Sequence, residues 1–219
     1  MAARTPAPYN SSSSPPITQH TSLLAHIWLT LLQTRNIDIT VSKPAYLAVS
    51  LSLRPRVSPR LPPSFIGSPI THAAPRLPPP GRSPTNLVAA ALAISSALAA
   101  FTPEKVAALL HEAAFVSSPQ RYWDAFLGER NLIATSWVRA GMYDIDFFGE
   151  KGLRYAEPFM PGIDGIAVLL EAGGKACGIK VGDGKGHWAD NGVDAMICAR
   201  ADVLNRMLER SDSLRRFRV

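Results

Sequence analysis

Apolar residues recur along this chain with two different periods, and the change from one to the other marks out its elements. Between residues 18 and 35, Leu23, Leu24, Ile27, Leu31 and Leu32 stand at helical spacing with Trp28 beside them, which predicts an amphipathic helix docked on a core. Residues 46–53 alternate instead, with Leu47, Val49, Leu51 and Leu53 on one side, and so predict a strand. Residues 86–100 read as a mostly apolar helix. Thr102-Pro103 offers an N-cap followed by proline at the first helical position, opening a helix to about Phe115. A third helix is expected after Ser118-Pro119, carrying Tyr122, Trp123, Phe126 and Leu127. The pattern then turns to short apolar or alternating runs at 132–138, 163–170, 176–181 and 193–199, broken by Gly173-Gly174 and the Gly-rich stretch 182–192. A final helix from about Ala201 holds Val203, Leu204, Met207 and Leu208. One strand, then helices, then several strands and a closing helix predict an α/β fold: a two-layer sandwich with a mixed β-sheet, not a doubly wound one.

Composition bounds this picture. A chain of 219 residues suffices for one well-buried core. Fifteen of its 19 prolines precede residue 87, and residues 1–16 show neither period, so 1–16 are expected to be a disordered tail and 17–219 one domain. Two cysteines, Cys177 and Cys198, argue against a disulfide-built secreted fold and for reduced thiols in the cytoplasm. The first 22 residues lack the basic-then-apolar order of a secretory signal. The longest apolar run, residues 87–101, is interrupted by Ser95-Ser96 and falls short of the roughly 20 residues a bilayer requires. A soluble protein without a membrane partner is therefore expected.

Charge is unevenly placed: residues 1–86 carry eight Lys/Arg against one acid, and the remainder 15 against 16. Arg54, Arg56, Arg60, Arg76 and Arg82 nevertheless sit among prolines, without a helical face or interleaved aromatics. They read as an exposed or structurally paired set, with no nucleic-acid partner. Cys177, Cys198, His187, Asp183 and Asp190 have no recognised zinc spacing, so no metal is expected. The run from Gly182 to Gly186 lacks the spacing and following helix of a phosphate loop and reads as a turn.

Four collinear stretches carry a resemblance. Ile17-Thr18 with 24–28 (Leu-Ala-His-Ile-Trp) comes first; then Arg54-Pro55-Arg56, residues 59–63 and 65–68; then Thr135-Ser136-Trp137 with Asp146-Phe147; last, 165–170 and 192–208. In this order they resemble the C-terminal domain of the BAHD-like, acyl-CoA-dependent acyltransferases, most nearly the fungal, trichothecene acetyltransferase-like members. The resemblance covers about residues 17–210. It implies a chloramphenicol acetyltransferase-like fold, no bound cofactor, acyl-CoA as co-substrate, and transfer of an acyl group to a hydroxyl or amine of a secondary metabolite. Two departures stand out: Phe148-Gly149-Glu150 replaces the family's Gly-Trp-Gly, and Ser68 replaces its usual Asn.

The family's base is absent. A positioned base is worth about 10²- to 10⁴-fold in activating a hydroxyl, and in this family it is the His of a His-x-x-x-Asp in the N-terminal half. None of His20, His26, His72, His111 and His187 is followed by Asp at that spacing; His187 has Asp190 one residue too early, in the Gly-rich loop. No catalytic residue is thus assigned within the chain, and a separate N-terminal acyltransferase half is the partner the resemblance implies, beside acyl-CoA and a small-molecule acceptor. The resemblance makes Thr135, Ser136 and Trp137 substrate-binding residues, with the Trp137 indole N–H as an oxyanion donor. Read without the resemblance, Trp137 is a core aromatic on a strand. The resemblance also pairs Arg54 with Asp146 structurally, although alternation in an extended segment would let Asp144 take the same part. The other reading of the whole chain is a non-catalytic remnant or scaffold that binds CoA or a partner protein.

Overall fold

A computed structural model describes residues 14–79, 86–118, 126–145, 155–172 and 192–209. The first helix, α1 (Gln19–Thr34), begins at a reciprocal cap: the Thr21 N–H donates to Thr18 Oγ1 at 3.2 Å, and the Thr18 N–H donates to Thr21 Oγ1 at 2.9 Å. Strands β1 (Tyr46–Ser52) and β2 (Ile70–Ala73) follow, then α2 (Leu87–Ala99), capped by Asn86, and α3 (Pro103–Ala114), capped by Thr102. Strand β3 (Asn131–Ser136), a short 3-10 turn (Met142–Asp144), β4 (Ile166–Glu171), β5 (Val193–Cys198) and α4 (Ala201–Glu209) complete the order.

The five strands form one mixed sheet in the order β2-β1-β3-β4-β5. The inner pairs β1–β3 and β3–β4 are parallel; the outer pairs β1–β2 and β4–β5 are antiparallel. Helix α1 packs on the sheet through Leu24, Ile27, Trp28 and Leu31, with α2 beside it contributing Ala90, Ala91 and Ile94 and α4 contributing Val203 and Met207. Trp28 is fully buried here, so among the described residues the core tryptophan belongs to α1. On the opposite face Ile166, Val168 and Leu170 gather Ile133, Met142, Met160 and Met196. Burial on both faces explains why β4 reads as an unbroken apolar run.

Most elements fall where hydrophobic spacing puts them, within a few residues. Strand β2 has no such signal, because four residues hold too few alternations to stand out. Phe126 and Leu127 lie in a turn and connecting segment ahead of β3. The rest of the helix expected after Pro119, and the run 176–181, lie outside the described residues. Residues 142–144 form the 3-10 turn in place of an extended segment.

One arginine ties the layers together at the N-terminal ends of β3 and β4. Arg35, just past α1, donates through Nη1 to the carbonyls of Glu129 (2.8 Å) and Asn131 (3.2 Å), and through Nη2 to Asp164 Oδ1 (2.6 Å). Its side chain is 4% exposed. Asp164 also accepts from the Arg200 N–H, and Arg206 donates to the Thr34 carbonyl at the end of α1. Asp202 accepts from both Arg200 and Arg206; its hydrogen bond from Arg200 is the main reason its carboxyl titrates as low as about 2. Gly165 lies against the same arginine with φ +92°, and a Cβ there would stand 2.9 Å from the Asn131 carbonyl.

Two histidines are partly enclosed. His72 on β2 stands opposite Ser50 on β1, with Ser50 Oγ 3.1 Å from His72 Nε2 and the Phe126 ring 5.5 Å from the imidazole. Burial holds its pKa below the ordinary 6.5. Burial does the same for His20 in the first turn of α1, helped by the positive charge of Arg139. Both therefore favour the neutral ring in the folded state.

Breaking the buried pair from one side leaves an uncompensated charge, so Asp164→Asn is expected to cost about 3–5 kcal/mol. Denaturant unfolding measures it, and a loss below 1 kcal/mol would contradict the role given to Arg35. The histidines set a pH dependence of known sign. Because the unfolded chain protonates them more readily, their contribution is complete above about pH 6.5 and is lost as pH falls toward their lowered folded values. Melting curves between pH 7.5 and about 5 should show the decline, and it should flatten in His20→Asn combined with His72→Gln.

Candidate functional site

The three parallel strands all end on the same side of the sheet, and the candidate residues follow from that geometry. In sheets of this kind ligands bind outside the carboxyl ends of parallel strands. Thr135 and Ser136 close β3, in register with Val168 and Leu169 of β4, and Trp137 continues the ladder by donating its N–H to the Leu169 carbonyl at 2.8 Å. Leu132, Ala134 and Val138 face the helix-side core, whereas Ile133 joins the opposite cluster. Thr135 and Trp137 share the parity of Ile133, and so stand on the face away from the helices. Trp137 is 38% exposed, in contrast to the enclosed Trp28. It is not the core aromatic that strand placement alone would make it.

The turn after Trp137 is held back onto β4. Gly141, at φ +65°, donates its N–H to Glu171 Oε1 at 3.1 Å, and the Tyr143 hydroxyl accepts from the Ala156 N–H at 3.4 Å. These contacts tie Gly141 to the end of β4 and Tyr143 to the start of the 155–164 connection. The first turn of α1 lies at this same end, since the far end of that helix touches the beginnings of β3 and β4. The electrostatic influence of Arg139 on His20 agrees with that placement.

Arg54 follows β1 at the same end of the sheet. Its Nη2 donates to the carbonyls of Phe65 (3.1 Å) and Gly67 (3.0 Å), and its guanidinium lies 5.6 Å from the Phe65 ring centroid. Nη1 is enclosed and has no hydrogen-bond partner among the described residues. Asp146, its expected partner, lies outside the described residues. Arg56 donates to the Ser52 carbonyl and Arg76 to that of Val41, so these three proline-flanked arginines are tied to the backbone. His187, Cys177, Asp183 and Asp190 also lie outside the described residues. Among the described ones, no three His, Cys, Asp or Glu are grouped to hold a metal ion, and no single helix is long and apolar enough to cross a membrane.

Sequence reasoning reached Thr135, Ser136, Trp137 and Arg54 but missed two constellations. The Arg35–Asp164 hub joins residues 129 positions apart, and neither has a local motif. The Ser50–His72 pair depends on the register of the unanticipated strand β2. A recognised strand at 70–73 was the only signal able to reveal it.

The chain's wider likeness agrees with this geometry. The model of the Transferase family matches residues 3–171. Vinorine synthase is similar in structure, with a TM-score of 0.58 at 16% identity over 87% of this chain and 40% of that one. F. graminearum TRI101, in a complex with coenzyme A and deoxynivalenol, superposes with a TM-score of 0.62 at 15% identity over 94% of this chain and 43% of that one. F. sporotrichioides TRI101, with coenzyme A and T-2, gives 0.57 at 13% over 91% and 45%. The chain thus spans about two fifths of the length of the structures it matches. No curated protein matches the sequence. With the family model covering most of the chain, and the mixed sheet and its helices shared with these structures, the chain belongs to the Transferase family of BAHD-like acyltransferases.

Proposed function

We propose that residues 17–219 are the acyl-CoA-contacting, C-terminal domain of an acyltransferase that moves an acyl group from acyl-CoA to a hydroxyl or amine of a secondary metabolite. The observation that carries this reading is the setting of Trp137, half out of the protein at the carboxyl end of β3, with Thr135 on the same face. An indole N–H so placed is available to a thioester carbonyl, where it would stabilise the negative charge that develops when the acceptor attacks. The Thr135 hydroxyl orients the acceptor, while Ser136, which has the parity of Ala134 and Val138, stands on the helix side of the sheet. The base that deprotonates the acceptor comes from a separate N-terminal half, since the chain has no His-x-x-x-Asp. Two cysteines in 219 residues fit a cytoplasmic site of action. Coenzyme A in the TRI101 complexes supports the choice of donor.

Arg54 and Asp146 have a structural part in this reading. An enclosed guanidinium nitrogen with no partner among the described residues is expensive to leave unpaired, and a carboxylate from the loop after Trp137 would satisfy it. The pair would then hold that loop to the end of β1.

A non-catalytic scaffold is the second reading, favoured by the loss of the family's Gly-Trp-Gly at 148–150. The two separate on activity once a His-bearing half is supplied.

Titration calorimetry should show acetyl-CoA binding to the chain alone, with acyl transfer appearing only when a His-bearing N-terminal half is added. In that reconstituted enzyme Trp137→Phe should lower kcat roughly 10²-fold. Absence of CoA binding would sink the reading, and binding without transfer would favour the scaffold. For the structural pair, a double-mutant cycle with Arg54→Met and Asp146→Asn should give a coupling energy of about 1–3 kcal/mol. Strict additivity would remove it.

A further inference from the structure

The sheet face that bears Thr135 also carries a pair whose chemistry the acyl-transfer reading leaves unused. Ser50 and His72 are cross-strand partners, half-buried, with Ser50 Oγ 3.1 Å from His72 Nε2. That separation lies within the 2.6–3.2 Å expected of a nucleophile and the base that activates it. The enclosure that favours the neutral imidazole leaves one ring nitrogen able to take a proton at neutral pH. The Phe126 ring, tilted at 43° to the imidazole, walls one side of it.

Thr135 stands on the other side of Ser50. Val49 and Ala134 are the last paired residues of the β1–β3 ladder, and Ser50 and Thr135 are the next residue of each strand. Both have the parity of the Ala48–Ile133 pair, and Ile133 belongs to the cluster away from the helices. His72, Ser50 and Thr135 thus form a polar row across three adjacent strands.

We propose that Ser50 and His72 are a nucleophile–base pair that removes acyl groups from activated esters and thioesters, giving this chain an acyl-hydrolase activity of its own. Ser50 Oγ forms a bond to the acyl carbonyl carbon while its proton passes to His72 Nε2. The Thr135 hydroxyl donates to the carbonyl oxygen as that oxygen becomes negative. The adduct collapses with cleavage of the carbon–sulfur or carbon–oxygen bond, and the leaving thiolate or alkoxide takes the proton from His72. Water, deprotonated by His72, then attacks the acyl-serine, releasing the carboxylic acid and returning the proton to Ser50. The choice of a CoA thioester as donor rests on the preceding functional reading; the chemistry of the pair does not.

The test uses the full chain with two probes, p-nitrophenyl acetate and acetyl-CoA, followed by rapid quench and peptide mass mapping. The expected result is a stoichiometric burst of p-nitrophenolate, with one acetyl group on the peptide containing Ser50. Ser50→Ala and His72→Gln should each slow acylation by about 10²-fold or more. Ser50→Cys, checked like the others by its melting temperature, should retain acylation and carry the acetyl group on the new side chain. Acylation by p-nitrophenyl acetate but not by acetyl-CoA supports the pair and removes the thioester donor. Acetyl-CoA binding with no acylation from either probe overturns the pair and leaves the acyl-CoA reading standing. Release equal in wild type and Ser50→Ala, or acetyl mapped elsewhere, likewise overturns it.

Discussion

The fold depends on a single guanidinium placed where four elements meet. Arg35 is enclosed at the end of α1, and its two Nη groups donate to the backbone entering β3 and the carboxylate entering β4. Such a group is costly to desolvate, so its value lies less in net stability than in specifying one arrangement. Its fork fits that arrangement because two backbone oxygens and a carboxylate oxygen converge there. The Gly165 backbone makes room for it, and the outer arginines of α4 extend the network to the α1 carbonyls. With the starts of β3 and β4 fixed in this way, their ends are fixed too. Trp137 is therefore positioned from the far side of the sheet.

The helices were legible because their signals are local. Thr18, Asn86 and Thr102 each cap a helix through their own side chains, and the apolar spacing within α1 marks its buried stripe. Strand β4 was legible because burial on both faces leaves it almost wholly apolar, and β1 because Leu47, Val49 and Leu51 alternate along it. Strand β2 was not, because an edge strand of four residues is specified by its partner more than by its own pattern. The same holds for the Arg35 hub, whose members are scattered through the sequence and acquire meaning only through sheet order. Thr135, Ser136 and Trp137 were singled out as candidates through resemblance; periodicity by itself would have sent Trp137 to the core. Trp28 occupies that place instead.

The sheet divides labour between its faces. One face is committed to α1, α2 and α4 and carries the larger hydrophobic cluster. The other carries a smaller cluster around β4 and, toward β1 and β2, hydroxyl and imidazole groups. Polar side chains are tolerated there because each has a partner across the strand or only partial burial. Family membership accounts for the shared architecture. Thr135 and the half-buried serine–histidine pair share the face away from the helices.

The long reach of the Arg35 network also bears on how the chain acquires its structure. Arg35 and Asp164 are separated by 129 positions, and Arg206 caps α1 from 172 positions away. During synthesis α1 and β1 emerge long before these partners exist. Contacts so distant require the loop entropy to be overcome before they return any stabilisation, which slows folding. The early helix, with its apolar stripe of Leu24, Trp28 and Leu31, must wait for β3 and β4 to enclose it. Throughout that interval the stripe faces water, whereas the finished fold buries Leu24, Trp28 and Leu31.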